Sequence, residues 1–99
     1  MSFVTTQPLV LVSAAAGLQG IGAAVEAGNA AASAPTTGVA PAAADEVSAL
    51  TAAHFAAQAV QYQALSAQAA AIHEAFITTL VASAGSYATT EVANAAAVL

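Results

Sequence analysis

The sequence contains neither lysine nor arginine. Its five acids, Glu26, Asp45, Glu46, Glu74 and Glu91, leave a formal charge of -5. A polypeptide without cations cannot release counterions from phosphates, which argues against nucleic acid as a partner. It also lacks the basic residues that draw proteins to anionic lipid headgroups. A Sec or Tat signal needs a positive n-region, and the first residues offer none. Cysteine is absent. Disulfides, thiolate zinc sites and a thiol nucleophile are therefore excluded, while the redox compartment stays open. Tryptophan is missing, and aromatic residues amount to 5%. A length of 99 residues supports one small domain.

What is present is alanine. Hydrophobic residues make up 60% of the chain, yet few of them are large. Alanine favours helix but buries little area, so a core built from it is thin. The mean hydropathy of +0.79 raises the question of a membrane span. The uncharged stretch from Leu9 to Val25 is at the short end for one. Ser13, Gly17, Gln19, Gly20 and Gly22 dilute it, Glu26 follows, and no Lys or Arg flanks it to set an orientation.

The punctuation predicts two helices. Pro8 suits the first turn of one, because its missing N–H would have no helical partner there. Ser33-Ala34-Pro35-Thr36-Thr37-Gly38-Val39-Ala40-Pro41 reads as a loop. No Pro or Gly then occurs before Gly85. Helix 1 is expected from about 8 to 32, the loop from 33 to 41, helix 2 from about 42 to 84, and a tail from 85 to 99. Asp45 and Glu46 would favour the exposed N–H groups of the first turn of helix 2. Gly85 stands where a left-handed C-terminal cap would go.

The apolar spacing supports this reading. In helix 1, Val4, Leu11, Leu18, Val25 and Ala32 recur every seven residues, with Ala14 and Ile21 between them. In helix 2, Phe55, Tyr62, Ala69 and Phe76 do the same, with Leu65 and Ile72 between them. Each set is a heptad seam, and a short loop joins the two helices as an antiparallel hairpin. Helix 1 would span roughly 38 Å and helix 2 roughly 65 Å. Ile77, Leu80 and Val81 then fall in an overhang. Val10, Val12 and Val60 lie off the seams, so the apolar surface is wider than one helix can cover. Two helices alone rarely make a stable domain, and a four-helix bundle is the simplest completion.

Several segments together resemble the mycobacterial PE family. They are the opening Met1-Ser2-Phe3-Val4, Pro8, the Ala-rich hairpin, Ala43-Ala44-Asp45-Glu46-Val47-Ser48 after the loop, and Tyr87-Ala88-Thr89-Thr90-Glu91 near the end. The resemblance covers the whole chain, as a single PE-like domain over 1–99 without a Gly-rich extension. The similarity points most to the subgroup of the fifth ESX (type VII) secretion system. It implies an all-α hairpin that completes a four-helix bundle with a PPE-family protein. It also implies a chaperone that binds the PPE partner, and export of the folded pair to the cell surface or beyond. The family's Y-x-x-x-[D/E] motif, part of its export signal, corresponds to Tyr87 and Glu91. One departure concerns the Pro-Glu that gives the family its name, because this chain has Pro8-Leu9. An acid three residues after Thr6 would form a capping box; Leu9 cannot, which puts that N-terminal cap in doubt.

Tyr87 and Glu91, four apart, share a face on a helical turn. The partner interface is expected at Leu11, Leu18, Val25, Phe55, Tyr62, Leu65, Ile72, Phe76 and Leu80. His54 and His73 lie about 28 Å apart on one helix and cannot share an ion; they read as surface or interface histidines. Gly17, Gly20 and Gly22 follow no strand, so they read as close-packing positions and not as a dinucleotide fingerprint. No G-x-S-x-G elbow exists, and a two-helix hairpin has no concave pocket that excludes water. No catalytic residue, metal, cofactor or small-molecule substrate is assigned. The competing reading is a membrane or cell-envelope hairpin that contributes to a channel or surface complex.

Overall fold

Gln7 starts the first helix. Its carbonyl accepts from the N–H groups of Val10 (3.0 Å) and Leu11 (3.4 Å). Pro8 is then the first helical residue, as its fixed φ favours. The computed structural model describes residues 4–98, so Met1, Ser2 and Phe3 of the resemblance lie outside the described residues. Helix α1 covers Pro8–Thr37 and helix α2 covers Glu46–Ala97, and among the described residues there is no strand.

α1 runs past its expected end at Ala32 and takes Pro35 into its last turns. Proline costs a helix one N–H donor. Here the threonine hydroxyls saturate the terminal carbonyls. Thr36 Oγ1 donates to Ala32 O (2.6 Å) and Thr37 Oγ1 to Ser33 O (2.8 Å). Gly38 N closes the end on Ala34 O at 3.0 Å. A Cβ at Gly38 would lie 3.1 Å from that same oxygen, so the tight approach favours glycine.

α2 starts later than expected, because Asp45 is its N-cap and not a first-turn residue. Asp45 Oδ1 accepts from Ser48 N and Oδ2 from Ser48 Oγ, each at 2.8 Å. The backbone bond from Ser48, and then its hydroxyl, hold the Asp45 carboxyl below the ordinary value of 3.8. The folded value is the depressed one. The cap's contribution is therefore complete above 3.8 and is lost as pH falls through the lower folded value. Asp45→Asn should flatten the acid end of a far-UV helicity titration. Asp45→Ala should also lower helicity at neutral pH. Superimposable titrations for all three chains would remove the cap from the account.

Gly85 is not a cap. α2 continues to Ala97, and no described glycine has a positive φ. Half of the helical residues beyond Gly85 are alanine or glutamate, which favour helix, and Thr89 Oγ1 and Thr90 Oγ1 bond back to Gly85 O and Ser86 O. Tyr87 and Glu91 thus sit on regular helix and not on a tail. A Cβ at Gly85 would meet nothing within 4 Å. Gly85→Ala should therefore raise stability by up to about 1 kcal/mol, read as a higher melting midpoint. A lower midpoint would restore the cap assignment.

The chain forms two compact units, one of Gly22–Ile72 and one joining the segment ending at Ile21 to that beginning at His73. In each unit the helices pair antiparallel. In the first, Tyr62 Oη donates to Asn29 Oδ1 (2.7 Å) and Gln63 Nε2 to Asn29 O (3.0 Å). In the second, Thr6 meets Glu91 while Leu18 meets His73, so one helix descends as the other rises. His73 Nε2 lies 2.7 Å from Leu18 O. A carbonyl only accepts, so the proton is on Nε2.

The seams differ from those expected. On α2 the inward residues of the first unit are Ala52, Ala56, Ala59, Gln63, Ser66 and Ala70; those of the second are His73, Ile77, Leu80 and Ala84. Phe55, Tyr62, Leu65, Ile72 and Phe76 are exposed. On α1, Leu11 and Leu18 are half-buried as expected, but Ala15 and Gly22 accompany them, while Ile21 and Val25 are exposed. Adjacent heptad positions carry the same period, so spacing alone cannot choose between them. The polar groups decide it. Gln63 and His73 have carbonyl partners across the hairpin, and facing them inward turns the phenylalanines out. Ile77 and Leu80 are covered by the chain itself, so the expected overhang does not include them. Gly17 and Gly20 have open space around them and are not close-packing positions.

Candidate functional site

The outward apolar residues of α2 are ordered. In the unit of Gly22–Ile72, Phe55 and Tyr62 are seven apart, and so are Leu65 and Ile72; both pairs are exposed. Next to them on the helix runs a polar stripe of His54, Gln61 and Gln68, also at seven-residue spacing and exposed. α2 therefore carries three stripes: a small or polar seam, an apolar flank and a polar back. In the other unit, Phe76 is 53% exposed while its neighbour Ile77 is 3% exposed. Among the described residues the buried apolar set is Ala15, Ala52, Ile77 and Ala84, of which only Ile77 is large.

A groove of about 490 Å³ adjoins the flank near the loop; Pro35, Thr36, Val39, Phe55, Ala59 and Tyr62 line part of it. Sequence reasoning did not find this groove. It depends on α1 extending through Pro35 to Thr37, which places Val39 beside Phe55 and Tyr62.

Of the expected interface residues, Phe55, Tyr62, Leu65, Ile72, Phe76 and Val25 are exposed, and Leu11, Leu18 and Leu80 are half-buried inside the chain. Among the described residues no three His, Cys, Asp or Glu side chains gather where a metal could sit. His73 is committed to Leu18 O, and Asp45 to its cap.

Tyr87 and Glu91 stand one turn apart on α2. Tyr87 is 48% exposed. Glu91 is half-buried, and its Oε1 accepts two hydrogen bonds from Thr6, one from the backbone N at 2.7 Å and one from Oγ1 at 2.9 Å. The acid that Leu9 fails to supply near Thr6 therefore comes from the far end of the chain.

The family model described as "PE family" matches residues 4–94, which contain α1 and both motif residues. This chain belongs to the PE family. It is 68% identical over 97 residues to PE family protein PE13 of Mycobacterium tuberculosis, covering 98% of each chain. It is 57% identical to PE family protein PE8 of the same organism, spanning 35% of that protein. It is 58% identical to the uncharacterized PE-PGRS family protein PE_PGRS34, spanning 19% of it. In these longer relatives the PE region is one part of a larger protein.

Proposed function

We propose that this PE chain is a non-enzymatic subunit. It pairs with a PPE-family protein as a four-helix bundle in the cytoplasm, and a type VII secretion system of the fifth ESX class then exports the pair to the cell surface or beyond. The chaperone engages the pair through the PPE partner, and Tyr87 and Glu91 form part of the export signal. One observation carries the pairing. Among the described residues the hairpin buries three alanines and one isoleucine, while most of its large apolar side chains are exposed. At about 25 cal/mol per Å², such a core contributes little, and a second apolar surface must supply the rest. The expected result is a chain that melts without cooperativity when produced alone and becomes soluble and cooperative when co-expressed with its partner. A sharp transition for the isolated chain at low concentration would overturn the pairing.

The membrane reading draws on the helices themselves. Both are long and apolar enough to cross a bilayer by length and composition. Against it stand His54, Gln61 and Gln68, which a lipid-facing helix would leave without hydrogen-bond partners. The complex should remain in the aqueous fraction on liposome flotation, and flotation with the vesicles would favour insertion.

A further inference from the structure

We propose that Thr6 is a positioning residue of the export motif, orienting the Glu91 carboxylate so that it and Tyr87 are presented as one fixed pair. The proposal rests on the export reading above. Thr6 precedes α1, which opens at the Gln7 carbonyl, so neither its N–H nor its hydroxyl is used by the helix ladder. With leucine at position 9, no acid follows at capping-box spacing to take the Thr6 N–H, and in a capping box the hydroxyl would accept and not donate. Both instead converge on a single oxygen, Oε1 of Glu91, at 2.7 and 2.9 Å from a residue 85 positions away.

Two donors on one carboxylate oxygen restrict the plane of the group as well as its position, and bonds to an ionised acceptor are the stronger kind. Glutamate on an exposed helix otherwise samples many rotamers, and a receptor would have to order it on binding. Here the ordering precedes binding. Among the described residues no donor reaches Oε2. A receptor therefore meets a half-exposed phenol and, one turn further on, a carboxylate oxygen already aimed and still able to accept. A cation or backbone N–H is the group that fits that oxygen, and this chain, without Lys or Arg, has no cationic side chain to offer it.

The test is export from a mycobacterial host, with the chain co-produced with its PPE-type partner and the variants Thr6→Val, Thr6→Ser and Glu91→Ala compared. Thr6→Val removes the hydroxyl donor and keeps the volume. The exported fraction should fall on the order of tenfold, the effect of losing one hydrogen bond to a charged group. Thr6→Ser should restore it. Co-purification and the melting midpoint of the pair should not change, and this separates positioning from folding. In the isotopically labelled pair, the Thr6 amide proton should resonate downfield and move upfield in Glu91→Gln. Normal export of Thr6→Val alongside blocked Glu91→Ala would overturn the proposal and leave the export reading standing. Loss of pairing in Thr6→Val would assign Thr6 a structural role and also overturn it. Normal export of Glu91→Ala would remove the export reading itself, and the proposal with it.

Discussion

On the proposed pairing, Phe76→Asp should abolish binding to the partner and leave the chain's own helices as they are. The expectation comes from two neighbouring residues. Phe76 is 53% exposed and Ile77 is 3% exposed. In the isolated hairpin an aspartate at 76 stays in water and loses only apolar area that was already half wet. In the proposed complex that surface would be covered, and a carboxylate there would be desolvated without a counter-ion. The cost is several kcal/mol, or at least about a hundredfold in affinity. Ile77→Asp is the control. It places the same charge inside the hairpin, so helicity and pairing should fall together. Circular dichroism of each chain and pull-down with the partner distinguish the two outcomes. If Phe76→Asp pairs normally, this flank is not the interface.

Tyr87→Ala and Glu91→Ala should each reduce export to background while the pair still forms. The continuation of α2 to Ala97 makes this a clean experiment. Alanine is the best helix former, so neither change melts the segment, and lost export reports on the side chains. A motif on a frayed tail would not separate chemistry from order in this way. The two changes also differ. Glu91→Ala frees Thr6 as well as removing a carboxylate, so a small drop in local amide protection near residue 6 accompanies it. Tyr87→Ala has no such consequence among the hydrogen bonds of the described residues. Immunoblotting of culture filtrate against cell lysate reads the result. Normal export of both variants would remove Tyr87 and Glu91 from the signal.

The Ala-rich composition, read with one loop-like segment and the Pro- and Gly-free stretch between Pro41 and Gly85, was enough to identify two helices and their antiparallel connection. The resemblance carried by Pro8, Asp45-Glu46 and Tyr87–Glu91 was enough to identify the family. These are local properties. Helix propensity and motif spacing need no knowledge of what lies across the hairpin.

Three features needed the tertiary structure. The helix ends moved, because Thr36, Thr37 and Asp45 supply hydrogen bonds that propensity and Pro/Gly punctuation do not anticipate. The seam shifted by one residue, because heptads at adjacent positions share a period and only the cross-hairpin bonds of Gln63 and His73 distinguish them. Glu91 found Thr6 at a separation of 85 residues, a pairing invisible to any local rule. Sequence alone determined that this chain would be a helical hairpin of the PE family. Which stripe turns inward, and which acid serves the N-terminal segment, depended on where the first helix placed its carbonyls and the second its carboxylate. A polar group that leaves water must have a partner, and the position of that partner exists only in three dimensions.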